Sequence, residues 1–183
     1  MFFISYRSKV ILLGNAKVGK TSLLSRYVED EFRESYSQTL GANFLVKEVD
    51  VKKILSQLDE QKNINSFNIY VWDICGQRDK LFTTEYYFVQ AVGALVVFDI
   101  LKRESFEDLK FWISKLKELS GDVPFIIIGN KIDEGDKRVV SRQEGESLAN
   151  EYGVEYIETS AKSDENVDKA FEILAIEIIK KML

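Results

Sequence analysis

The sequence predicts an α/β fold, a mostly parallel sheet with helices packed on both faces. Three observations predict it. Strand-like and helix-like segments alternate along the chain. Two continuous β-rich apolar runs, Ala94-Leu95-Val96-Val97-Phe98 and Phe125-Ile126-Ile127-Ile128, read as central strands buried on both sides. Finally, Gly14-Asn15-Ala16-Lys17-Val18-Gly19-Lys20-Thr21 fits the phosphate-loop pattern G-x-x-x-x-G-K-[ST], between the apolar run Val10-Ile11-Leu12-Leu13 and the helical opening Ser22-Leu23-Leu24.

Taken in order, Val10 to Leu13 form the first strand and residues 22–27 the first turns of a helix. A polar stretch over 29–39 reads as a loop. Residues 42–54 carry Phe44, Val46, Val49 and Val51, a half-buried strand pattern. The polar segment 56–66 is a loop or hairpin connection, and 67–74 alternates through Ile69, Val71 and Asp73 into a loop. Between the two central runs, Phe106, Leu109, Phe111, Trp112, Leu116 and Leu119 make a helical face. A further helix starts near Ser141, with Glu144 placed for a capping box. The last begins about Asn166, with Val167, Phe171, Leu174, Ile178 and Ile179 on one side. The lone proline, Pro124, precedes a strand.

The phosphate loop is the chemical centre of this arrangement. Its backbone N–H groups and the helix N-terminus form an electropositive nest for phosphate oxygens. Asn15, Ala16, Lys17, Val18, Gly19, Lys20, Thr21 and Ser22 compose the cradle. Lys20 reaches the β- and γ-phosphates, and the Thr21 hydroxyl reaches Mg²⁺. The motif implies a nucleoside triphosphate; with the alternating elements it gives a P-loop NTPase, three-layer α/β/α architecture, and the chain length makes residues 1–183 one domain.

Composition sets limits. The chain has 183 residues, 45% hydrophobic and 30% charged, which is ordinary globular usage. A net charge of -5 argues against broad nucleic-acid binding. With no histidine, imidazole chemistry and most zinc catalysis are excluded. One cysteine, Cys75, allows no internal disulfide and reads as a small buried residue of a reducing compartment. No signal peptide, membrane span, myristoylation glycine or prenylated cysteine is evident, so a soluble cytoplasmic chain without an encoded lipid anchor is expected. A longer native C-terminus would change that expectation to peripheral membrane attachment.

Three more strings fall at strand ends. Asp73-Ile74-Cys75-Gly76-Gln77 offers a carboxylate for Mg²⁺ and a Gly76 amide for a γ-phosphate. Asn130-Lys131-Ile132-Asp133 offers a carboxylate that accepts two hydrogen bonds from guanine, whereas adenine would leave it unpaired. Ser160, Ala161 and Lys162 supply a backbone N–H for guanine O6.

These strings, with residues 26–44 ("RYVEDEFRESYSQTLGANF"), "WDICGQ" and "TTEYYF", resemble the Ras-like small GTPase superfamily, most closely its Rab branch. The resemblance covers nearly the full length. It implies a six-stranded sheet with one antiparallel edge strand and five flanking helices. Function follows as a molecular switch that binds GTP or GDP with Mg²⁺ and hydrolyses GTP slowly, in signalling or vesicle trafficking. A nucleotide-locked interaction module that does not cycle is the alternative. By match to the family pattern, Thr39 joins Thr21 and Asp73 at the metal, Phe32 lies against guanine, and Tyr36 closes over the phosphates. Gln77 orients the attacking water and acts with Lys20 in catalysis. Phe44, Trp72 and Tyr87 match the aromatic triad presented to effectors. Implied partners are a GTPase-activating protein that supplies an arginine, an exchange factor and effectors.

Two departures stand out. Ala16 replaces a glycine of Ras proteins, as small residues commonly do in the Rab branch. Arg78 replaces a glutamate that exchange factors often use against Lys20, leaving Asp79 as the substitute. The connection 56–66 is longer than the family's usual one.

Overall fold

The computed structural model describes residues 4–32, 39, 41–50, 54–56, 64–77 and 84–182. Its six strands are β1 (Ile4–Leu13), β2 (Ala42–Val49), β3 (Ile64–Ile74), β4 (Gly93–Asp99), β5 (Phe125–Asn130) and β6 (Tyr156–Thr159). They form one sheet in the order β2-β3-β1-β4-β5-β6. β2 runs antiparallel to β3 at the edge, and every other pairing is parallel. The α-helices among the described residues are α1 (Lys20–Glu29), α2 (Arg103–Glu107), α3 (Leu109–Ser120), α4 (Arg142–Tyr152) and α5 (Val167–Met182).

Alternation in β1 divides the core. Val10 and Leu12 face one side, where Leu23, Leu24 and Tyr27 of α1 meet Phe171, Leu174 and Ile178 of α5. Ile11 and Leu13 face the other, against Leu109, Trp112, Ile113 and Leu116 of α3 and Leu148 of α4. All four β1 residues are inaccessible to solvent, as are Leu95 to Phe98 and Ile126 to Ile128. This two-sided burial is why the central runs carry no polar alternation. Ser141 caps α4 in a reciprocal capping box with Glu144, as expected.

The predicted strand over 42–54 is corrected. β2 ends at Val49, and residues 54–56 form a helical turn instead. Its inner face is Leu45, Lys47 and Val49, while Phe44 and Val46 point outward, 41% and 42% exposed. Phe44 and Val46 share one parity and Val49 and Val51 the other, so the apolar pattern never defined a single face. The helical face between the central runs is also interrupted. Asp108 (φ −74°, ψ −7°) separates α2 from α3. Tyr36, Val51, Arg78, Asp79 and most of the 56–66 connection lie outside the described residues.

β1 pairs with β3 on one side and β4 on the other, so crossovers leave it in both directions. A crevice opens at the carboxyl end of such a strand, and the phosphate loop follows β1 directly.

Candidate functional site

Loops after β1, β3, β5 and β6 surround a cavity of about 900 Å³. At one end stands the phosphate loop. Gly19 adopts φ 100°, and a Cβ there would lie 2.2 Å from Asn130 Nδ2, so only glycine fits. Lys17 holds φ 67°, a left-handed conformation uncommon for a side-chain-bearing residue. Lys20, 6% exposed, donates from Nζ to the carbonyls of Gly14 at 2.8 Å and Asn15 at 2.9 Å. Burial lowers its pKa, and Asp73 and Cys75 oppose that shift.

Asp73 closes β3 beneath the loop with no solvent exposure. Its Oδ2 accepts from the Thr21 hydroxyl and, at 3.3 Å, from Thr39 Oγ1. The two threonine hydroxyls are 3.0 Å apart. Burial raises the Asp73 pKa, while Lys20 and both hydroxyls pull it down. Asp73 Oδ1 and Gln77 Oε1 are buried without a hydrogen-bond partner. A carboxylate and two hydroxyls with an unused buried oxygen suit a hard cation such as Mg²⁺. Gly76 packs directly on the phosphate loop, since a Cβ would lie 2.4 Å from the Asn15 carbonyl carbon.

The other end is tightly cross-braced. Asn130 Nδ2 donates to the Val18 carbonyl at 2.9 Å, and Thr159 Oγ1 donates to Asn130 Oδ1 at 3.0 Å. Lys131 Nζ donates to the Lys17 carbonyl at 2.9 Å and to buried Asp99 at 2.7 Å. Asp133 Oδ1 accepts from Ser160 Oγ at 2.6 Å, and Ser160 Oγ in turn accepts from the Ser163 N–H at 3.0 Å. Arg26 Nε donates to the Ala161 carbonyl at 3.0 Å.

A model of the Ras family matches residues 9–180. Ras-related protein Rab-8B of Homo sapiens is 42% identical over 181 residues, covering 97% of this chain and 81% of its own. Ras-related protein Rab-8 of Diplobatis ommata is 41% identical over 97% of this chain and 80% of its own. Ras-related protein Rab-8A of Rattus norvegicus is 40% identical over 97% and 81%. The chain belongs to the Ras family. It is a Rab-branch small GTPase that binds GTP and GDP and hydrolyses GTP.

Within this GTPase the cavity wall includes Ala16, Lys17, Gly19, Lys20, Thr21, Ser22, Phe32, Thr39, Gly76, Gln77, Asn130, Lys131, Asp133, Ala161 and Lys162. Four expected residues stand behind that wall. Asp73 and Ser160 are fully buried under Thr21 and Asp133, Val18 is in the core, and Asn15 turns away. Cys75 is buried, as its sequence setting suggested. Sequence reasoning missed Ser25, Glu29, Asn43, Lys102 and Glu134 on the rim. It also missed Asp99, and it gave Thr159 no role beyond its place in the string that ends at Lys162; their contacts link residues far apart in the chain.

Outside the cavity, the rings of Phe44 and Trp72 lie 4.7 Å apart, and those of Trp72 and Tyr87 5.3 Å apart. The ring of Tyr86, 62% exposed, lies 4.0 Å from that of Tyr87, tilted by 39°. Lys9 Nζ lies 5.3 Å above the Trp72 ring and donates to the Val89 carbonyl at 2.8 Å, bracing the cluster. No helix among the described residues is long and apolar enough to cross a membrane.

Proposed function

We propose that this GTPase is a nucleotide-controlled switch in vesicle trafficking, with residues 1–183 as one guanine-nucleotide domain working in the cytoplasm. The observation that carries the reading is the convergence of buried Lys20 with Thr21, Thr39 and Asp73 at one end of the cavity, opposite Asp133 at the other.

Lys20 exchanges its two carbonyl partners for β- and γ-phosphate oxygens and offsets their charge. Thr21, Thr39 and Asp73 would hold Mg²⁺, which would neutralise phosphate charge there. Asp133, aligned by Ser160, accepts hydrogen bonds from guanine and rejects adenine. Phe32 at the rim covers the base, and Ala161 and Lys162 border it. Gln77 orients the attacking water. Loss of the γ-phosphate releases Thr39 and the Gly76 amide, and the loops carrying them report the change.

Among the described residues no arginine lines the cavity, which supports slow intrinsic hydrolysis and an activating partner that contributes one. Phe44, Trp72 and Tyr87 form the surface offered to effectors, aromatic residues being enriched at binding hot spots. Single-turnover hydrolysis tests the scheme. Gln77→Leu is expected to slow hydrolysis about 10²-fold while GTP still binds. An unchanged rate removes Gln77 from the mechanism, and a wild-type chain that never turns GTP over refutes the switch.

A further inference from the structure

Asn15 occupies a variable position of the phosphate-loop pattern, yet its side chain has two specific partners far along the chain. Nδ2 donates to Asp108 Oδ2 at 2.7 Å, and Oδ1 accepts from Trp112 Nε1 at 2.7 Å. The amide orientation is forced, because an indole N–H only donates and a carboxylate only accepts. Asp108 sits at the junction of α2 and α3, and Trp112 is 1% exposed in the core face of α3. The backbone carbonyl of the same Asn15 accepts from Lys20 Nζ, and Gly76 packs on its carbonyl carbon. Phosphate loop, charged lysine, the loop after β3 and α3 therefore meet at one residue.

We propose that Asn15 is a positioning residue that clamps the phosphate loop to α3, so that Asp108 and Trp112 set how firmly the nucleotide's phosphates are held. The inference rests on the nucleotide reading above and names a control on it. Lys17 keeps a left-handed backbone in this loop, and such conformations persist only where the surroundings over-determine them. Asn130 and Lys131 fix the Val18 and Lys17 carbonyls from the β5 side. The Asn15 clamp fixes the opposite flank, which holds the carbonyls that Lys20 leaves when it turns to phosphate.

The clamp has a charge logic that an exchange of residues exposes. Asn15→Asp sets two carboxylates against each other. Adding Asp108→Asn restores a carboxamide–carboxylate pair, and a carboxylate at position 15 still accepts from Trp112. The full chain, loaded with a fluorescent GDP analogue, is compared as wild type, both single variants and the double variant. Release rate and melting temperature in saturating GDP are both read. Asn15→Asp is expected to release GDP about tenfold faster. Asp108→Asn, which keeps a neutral hydrogen bond, is expected to release it about two- to threefold faster. The double variant is expected to return to within about threefold of wild type, as coupled neighbours do in a double-mutant cycle. A contact that only supports the fold would shift melting and leave release unchanged, which overturns the proposal, as does a double variant as fast as Asn15→Asp. If Asn15→Asp does not fold, Trp112→Phe removes one donor from the clamp, and a wild-type release rate in that variant overturns it equally. A wild-type chain that does not retain GDP would instead bring down the nucleotide reading, and the clamp with it.

Discussion

The two ends of the cavity are built on opposite terms. At the base end, Asn130, Lys131, Asp133, Thr159 and Ser160 each have a partner within the chain. At the phosphate end, Asp73 Oδ1 and Gln77 Oε1 are buried with none. An unpaired buried polar atom costs about 1–3 kcal/mol, so these two oxygens call for partners that the described residues do not supply. The difference matches two tasks. Reading a base needs fixed geometry that discriminates by hydrogen-bond pattern. Handling phosphate charge needs buried groups whose partners arrive with the ligand.

On these terms, charge removal at the phosphate end is expected to have the largest effect and to act on turnover. Lys20→Met is expected to slow single-turnover hydrolysis about 10²–10³-fold, the size seen when one preorganised donor to developing charge is lost. A loss under about tenfold would mean Lys20 is only one of several interchangeable cations. At the base end the largest expected change is in specificity. Asp133→Asn is expected to weaken GTP binding about 10²-fold, through loss of charge-assisted hydrogen bonds, and to improve xanthosine triphosphate binding. Titration with both nucleotides decides it. Equal weakening of both would show that Asp133 serves the scaffold and reads no base.

This division also explains what the sequence disclosed. The proposed chemistry lies in short strings, so Lys20, Thr21, Asp73 and Asn130 to Asp133 stand out as candidates from their own neighbourhoods. The braces do not, because Thr159 meets Asn130 across 29 residues and Trp112 meets Asn15 across 97. Strands buried on both faces announced themselves, as β4 and β5 did. β2 was legible as a strand but not in its buried face or its end, since Phe44 and Val46 put apolar residues on its solvent side and blur the alternation that marks an inside. The aromatic cluster was named only through family resemblance. Aromatic spacing on two strands and a 3₁₀ turn says nothing about whether the rings touch. The break between α2 and α3 was equally invisible, because Asp108 is an ordinary surface residue by pattern.

The brace at the base end extends below the pocket and titrates. Glu158 in β6 is 8% exposed and receives Arg138 through Nη1 at 2.6 Å and Nη2 at 3.0 Å, and Tyr156 Oη at 2.9 Å. Burial pushes its pKa up, but Arg138 and Tyr156 outweigh that and hold it below the ordinary 4.5. A depressed carboxylate pKa contributes stability that is complete above the unfolded value and is lost as pH falls below it. Glu158→Gln is therefore expected to cost about 1.5 kcal/mol at pH 7, a fall in melting temperature of ~3–6 °C. The gap to wild type should shrink on acidification below about pH 4.5. A gap that stays constant with pH would assign the effect to packing and leave the ion pair without a role.

The smallest expected effect is the sharpest test of preorganisation. Ser160 never reaches the cavity, yet its hydroxyl donates to Asp133 at 2.6 Å while accepting from the Ser163 N–H. Ser160→Ala keeps the Asp133 charge and removes only what aims it. If the base end works by fixed geometry, GTP affinity falls about five- to tenfold, the worth of one hydrogen bond of about 1 kcal/mol or slightly more. Hydrolysis of bound GTP stays at the wild-type rate, because nothing at the phosphate end has moved. A variant that binds normally but turns over slowly would mean that the two ends are mechanically joined through the loop that Asn130 and Lys131 hold. The contrast between them would then be one of composition alone.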